Sequence, residues 1–182
     1  MIYIPLAVLF LAGVYVLATY NGLVSKRNMA RNAFSTIDVM LKKRHDLIPN
    51  LVAAVKGFAA HEESTFARII ELRNQAMNES ISDAKRFDAE RQLEPQLGKL
   101  IAIAEDYPAL TSGEQFMNLQ RNLTDIEEQL SAARRAYNAA VLDNNNAVDM
   151  FPSSIIASSF GFTSKAFFQA EASERDSVSV NS

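Results

Sequence analysis

The sequence contains no cysteine and no tryptophan, and only two histidines, five prolines and six glycines in 182 residues. Without cysteine it can form no disulfide, no thiolate nucleophile and no zinc–thiolate site. His45 and His61 stand sixteen residues apart. On one continuous helix that is about 24 Å, too far to share an ion. Neither has a glutamate three residues before it, as di-iron bundle sites require. His61–Glu62–Glu63 is not the HExxH zinc pattern. No two glycines form a GxGxxG or Walker arrangement, and no GxSxG elbow occurs. A net charge of −3 lacks the basic excess of a nucleic-acid binder. These absences point away from catalysis, cofactors, metals and nucleic acid, and scarce proline and glycine fit an all-helical chain.

What is present begins with a long apolar run. Ile2 to Ala18 carries no charge, its most polar groups are Tyr3 and Tyr15, and the first charged side chain is Lys26. A helix over residues 2–22 rises about 30 Å, the thickness of a bilayer core. Tyr20 and Asn21 would lie at the interface. A cleaved signal peptide fits poorly, because no basic n-region precedes the run and no small-x-small cleavage site follows. LAG at 11–13 resembles a lipoprotein box, but Val14 stands where a lipidated cysteine would be. An uncleaved span is therefore expected. Lys26, Arg27 and Arg31 follow it, so the positive-inside rule places the C-terminal part in the cytoplasm and the N-terminus outside.

The next informative stretch is 31–62. Ile37, Leu41, Ile48, Leu51, Val55 and Phe58 step alternately by three and four, the period of a helix with one buried seam. Arg44 sits on that seam, where its charge must be paired or reach water along its stem. Pro49 removes the N–H that would bond the carbonyl of His45. That costs about 3 kcal/mol inside a helix unless the helix kinks or a neighbour fills the gap. The basic cluster Lys42, Lys43, Arg44, His45 starts some 24 Å beyond the span on a straight helix, more than a Debye length of about 8 Å from lipid. It reads as a solvated, internally paired face.

The apolar face continues through Phe66, Ile69, Leu72 and Met77, so one helix is expected to run to the polar turn NESISD at 78–83. A second helix is expected from 82 or 83 to Asp106, bent or restarted at Pro95 and ended by Pro108. A third follows a capping box of Thr111 and Glu114, or of Ser112 and Gln115. Its seam runs through Phe116, Leu119, Leu123, Ile126, Leu130, Ala133, Tyr137, Ala140, Ala147 and Phe151, with Asn144 as its polar member. The expected architecture is all-α: a transmembrane helix over 1–22, then an elongated antiparallel up-down bundle over 23–152. It has three long helices, or four segments if kinked at Pro49 and Pro95. Residues 153–182 form a Phe/Ser-rich segment with a mobile end.

The stretch IDVMLKKRHDLIPNLVAAVKGFAAHE at 37–62 resembles the signature of the LemA family of bacterial membrane proteins. So do YNGLV at 20–24, AEDYPAL at 104–110, RRAYNAAV at 134–141 and FPSSIIAS at 151–158, all in the expected order. The resemblance implies a helical bundle behind one membrane helix and implies no reaction. Pro95 stands outside the pattern.

Two groups of residues stand out as candidate sites. Arg44, Asp46, Glu105, Glu127, Arg134 and Tyr137 are expected to form a structural polar layer between helices. Ile155, Ile156, Phe160, Phe162, Phe167 and Phe168 are too apolar for a disordered linker. They either plug the bundle or form a surface for self-assembly or lipid. The reading that follows is a non-catalytic, single-pass protein of the bacterial inner membrane. It acts as an interaction or assembly module, self-associating or with a membrane protein partner, in membrane organisation or envelope stress. The alternative is an accessory subunit of a membrane protease or other membrane enzyme.

Overall fold

The computed structural model describes residues 3–81 and 83–168, and every regular element among them is helical. In order these are α1 (Tyr3–Lys56), a 3₁₀ turn (Ala60–Glu62), α2 (Glu63–Ala76), α3 (Asp83–Glu105), α4 (Pro108–Thr111), α5 (Glu114–Asp149) and α6 (Ser153–Ser159). The all-α architecture and the long apolar N-terminal helix agree with the sequence. The end expected to be mobile lies outside the described residues.

The chain divides into two compact units. One comprises the chain up to Asp38 with the stretch from Ser131, and the other runs from Val39 to Leu130. In the Val39–Leu130 unit one core draws on every helix. It takes Ile48, Leu51 and Val55 from α1, Phe66, Ile69 and Leu72 from α2, Leu93, Leu97 and Leu100 from α3, Leu110 from α4, and Phe116 and Leu123 from α5. α1, α2 and α3 alternate in direction. Arg73, near the end of α2, reaches back to His45 of α1. Lys99 late in α3 meets Thr65 early in α2, while Arg86 early in α3 meets the Ala76 carbonyl.

Three local expectations are corrected here. The first soluble helix does not run on to Met77, because α1 stops at Lys56 and α2 folds back along it. Gly57 weakens the helix by about 1 kcal/mol relative to alanine, and the amides of Phe58 and Ala59 both turn onto the Val55 carbonyl at 3.0 Å. Periodicity missed the break because the reversal buries the same face on both sides of it. Phe58, placed on the seam, is 47% exposed, and Ala59 takes the buried position. Second, the helix does not restart at Pro95, which lies inside α3, while Pro49 lies inside the long helix α1 as expected. Third, neither capping box forms: the Thr111 and Ser112 hydroxyls donate to carbonyls of their own turn.

In the other unit, α1 and α5 are antiparallel. The Phe34 ring lies edge-on to Tyr137 at 5.6 Å, and Leu23 and Val24 share a core with Ala147 and Val148. α6 adds Ile156 and Ala157 to that core. It ends on Gly161 with φ +70°, a backbone conformation that favours glycine. The Phe162 amide then bonds the Ala157 carbonyl at 2.9 Å and the Phe162 ring turns into the same core, the pattern of a Schellman cap.

Candidate functional site

The Val39–Leu130 unit has a charged centre. Arg44 is fully buried on the α1 seam. Its Nη1 donates to both carboxylate oxygens of Glu127 on α5, at 3.0 and 3.3 Å, and its Nη2 donates to Glu90 on α3. Glu94, one turn further along α3, lies 4.0 Å from the guanidinium. The other oxygen of Glu90 accepts from His45 Nε2 at 2.6 Å. One guanidinium thus joins three helices, and one buried carboxylate is shared by two neighbouring α1 side chains.

Electrostatics follow from this arrangement. Burial alone would raise the Glu90 carboxyl, but the His45 hydrogen bond and the Arg44 charge outweigh it and hold the group below the ordinary carboxylate value. Burial likewise opposes the Arg44 charge, and Glu90 with Glu127 overcomes it, raising the guanidinium above its usual value. The Glu90 carboxyl, lowered in the folded state, contributes stability that is complete above the unfolded carboxylate range. That contribution is lost as pH falls through the lowered folded value. Glu90→Gln is therefore expected to cost about 2 kcal/mol near neutral pH. Its deficit against the parent should shrink in urea titrations carried down below the ordinary carboxylate range, as Glu90 itself is neutralised through its lowered folded value. A deficit constant across that range would contradict the assignment.

Pro49 belongs to the same construction. It leaves the His45 carbonyl without its helical donor, and Arg73 Nε of α2 donates to that oxygen at 2.7 Å. The neighbour that fills the proline gap is therefore a side chain from the next helix. Arg73→Met should cost about 1–3 kcal/mol by leaving the carbonyl unpaired. The cost should fall when Pro49→Ala restores an amide at the gap. A double-mutant cycle by urea denaturation reads that coupling, and strict additivity would count against it.

The other unit carries a second constellation. Asn138 and Asn145 lie two turns apart on one face of α5, about 10 Å along the axis. Asn138 accepts from the Phe168 amide at 2.8 Å and donates to its carbonyl at 2.9 Å. Asn145 does the same for Lys165, at 2.8 and 2.9 Å. Three extended residues also span about 10 Å, so the two amides match the tail's repeat and hold it antiparallel to α5. The Tyr137 hydroxyl donates to the Ala166 carbonyl at 3.1 Å, and burial raises its pKa. The Arg134 guanidinium stacks over the Phe168 ring at 5.1 Å.

The model of the LemA family matches residues 33–181. The chain belongs to the LemA family. Among its relatives, magnetosome protein MamQ of Magnetospirillum gryphiswaldense is 26% identical over an alignment of 178 positions. That alignment covers 84% of this chain and 65% of the relative. Magnetosome protein MamQ 2 of Paramagnetospirillum magneticum is 25% identical, with the same coverage. Protein LemA of Metamycoplasma hominis is 23% identical, covering 88% of this chain and 74% of the relative. The chain thus spans about two-thirds of the length of the magnetosome relatives. No reaction is named for any of them.

Of the six residues picked from this LemA-family sequence as a polar layer, Arg44 and Glu127 meet directly. Asp46 and Glu105 are exposed. Arg134 and Tyr137 belong to the unit that starts again at Ser131, where they hold the tail. The tail residues divide as well: Ile156 and Phe162 are buried and Phe168 is half-buried, while Ile155, Phe160 and Phe167 stay exposed. Sequence reasoning missed Glu90 and Arg73. Glu90 could have been found, because it lies three residues before the buried Leu93 and one before Arg91, an acidic position near the core side of α3. Arg73 carries no such signal, since only the fold-back at Gly57 brings it to Pro49.

Proposed function

We propose that the chain is a membrane-anchored helical scaffold that associates with further copies of itself. The observation that carries this reading is the start of α1. Residues 3–18 are exposed on every side of the helix, and α1 is long and apolar enough to cross a membrane, with a mean hydropathy of 1.9 over an 18-residue window. Lipid is the medium that suits such a rod, since a helix satisfies its own backbone there. Lys26, Arg27 and Arg31 follow it, which favours an orientation in the bacterial inner membrane with the helical units in the cytoplasm. The Arg44 guanidinium is committed to ion pairs with carboxylates from two other helices, an arrangement suited to aligning helices rather than to turnover. Relatives named for a cellular structure, the magnetosome, agree with a role in membrane organisation.

Self-association draws on apolar side chains left exposed beyond the span. Leu142 and Phe167 are each about half exposed, and the tail's register sets Phe167 beside the same stretch of α5. Size-exclusion chromatography with light scattering in mild detergent should find a homomeric particle; a monomer throughout would overturn self-association. The alternative, an accessory subunit of a membrane protease or other membrane enzyme, is favoured by one feature. An open groove of about 430 Å³ in the Val39–Leu130 unit is lined by Lys43, Asp46, Asn50, Asn122, Asp125 and Gln129, together with Leu47 and Ile126. Affinity purification that yields one stoichiometric partner would support that alternative.

A further inference from the structure

At the corner between α5 and α6 four large apolar side chains face outward: Met150 at 62% exposure, Phe151 at 80%, Ile155 at 58% and Phe160 at 56%. An apolar cluster of this kind marks a contact surface. Its position in the unit is set by α1 and α5. Leu23 and Val24 pack with Ala147 and Val148, so three more residues, just past the end of α5, bring Met150 and Phe151 close to the level of Tyr20 and Asn21. The Phe160 ring confirms this level, lying 5.0 Å from that of Tyr20. Tyr20 closes the apolar run of α1, and the corner therefore continues the surface of the span.

Two chemical features fit lipid rather than a second copy. First, three of the four serines of the corner hide their polarity. Ser153 donates to the Met150 carbonyl at 2.8 Å, and Ser158 and Ser159 donate to the Ile155 carbonyl at 3.0 and 2.7 Å. Hydroxyls bonded in this way cost less to move out of water. Second, the charges behind the corner on α1 are cationic. Lys26 and Arg27 lie within two turns of Tyr20, at the depth of anionic headgroups, and the Arg27 guanidinium rests over the Phe162 ring at 5.1 Å. Asp149, a carboxylate at the corner, accepts from the Ser164 hydroxyl at 3.0 Å.

We propose that the α5–α6 corner is a second membrane contact. Met150, Phe151, Ile155 and Phe160 enter the interfacial layer of the leaflet at which α1 leaves the bilayer, beside Tyr20. The proposal rests on the reading of residues 3–18 as a span. It gives the protein two attachments to one leaflet and holds the adjoining helices at a set angle to the surface.

The absence of cysteine allows a direct test. The full chain is reconstituted into vesicles of phosphatidylethanolamine and phosphatidylglycerol in equal parts. A bimane label is placed on one of four variants, Phe151→Cys, Ile155→Cys, Leu9→Cys or Arg135→Cys. Quenching is read with a nitroxide carried near the lipid headgroup and with iodide on both sides. The labels at 151 and 155 should be quenched by the nitroxide lipid several-fold more than the label at 135, and by iodide several-fold less. Equal iodide quenching at 151, 155 and 135, with the label at 9 protected, overturns the corner contact and leaves the span intact. Protection from both quenchers at 151 and 155 also overturns it, in favour of a second protein copy. Free access of iodide to the label at 9 overturns the span and the corner together.

Discussion

Arg44→Met is expected to destabilise the full chain by about 3–5 kcal/mol, the cost of leaving a buried charge without its partner. Glu90 is the charge left behind. Its side chain is only 8% exposed, and among the described residues only His45 besides Arg44 is bonded to it. Glu127 matters less, because its side chain is 32% exposed and can turn toward water. The unequal burial makes a second expectation. Removing both members, in Arg44→Met with Glu90→Leu, should recover most of the loss, since an apolar pair of similar volume avoids the desolvation of both ions. Arg44→Met with Glu127→Leu should recover little. Urea denaturation in mild detergent, followed by helix content, gives the three midpoints. If Arg44→Met matched the parent, the guanidinium would not be the tie between α1, α3 and α5.

The same centre shows what the sequence makes legible. The spacing of Ile37, Leu41, Ile48, Leu51 and Val55 places them on one seam, and all five are buried. Arg44 stood out because it interrupts that spacing, and a buried charge demands a partner. Spacing could name the demand but not the supplier, because Glu90 and Glu127 lie on helices whose positions depend on where α1 ends. Helix period survives a reversal that buries the same face, so Gly57 and Ala59 gave no contrast against their neighbours. Pro49 was legible in the same partial way. The missing donor to His45 follows from the residue type alone, while Arg73 as its replacement follows only from α2 running back along α1. The tail was the least legible part. Asn138 and Asn145 are ordinary polar residues on a helix surface until an extended segment of matching repeat lies beside them.

That tail supplies the second large effect. Phe162→Ala is expected to cost about 3 kcal/mol, the usual loss for truncating a buried phenylalanine. Phe162 is 8% exposed and packs among Leu23, Ile156 and Ala157. Its ring also meets Tyr20 edge-on at 5.7 Å and carries the Arg27 guanidinium on its face. The substitution removes all of these at once and leaves the Gly161 turn without its apolar anchor. Amide hydrogen exchange of the full chain should then accelerate at Phe162, Lys165 and Phe168. The latter two are protected by Asn145 and Asn138, whose bonds depend on the tail arriving in register. Asn145→Leu separates the two causes. It removes one amide pair but keeps the ring buried, so exchange should rise at Lys165 while Phe162 stays protected through the Ala157 carbonyl. If Phe162→Ala left exchange at Lys165 and Phe168 unchanged, the asparagine pairs would hold the tail without help from the core.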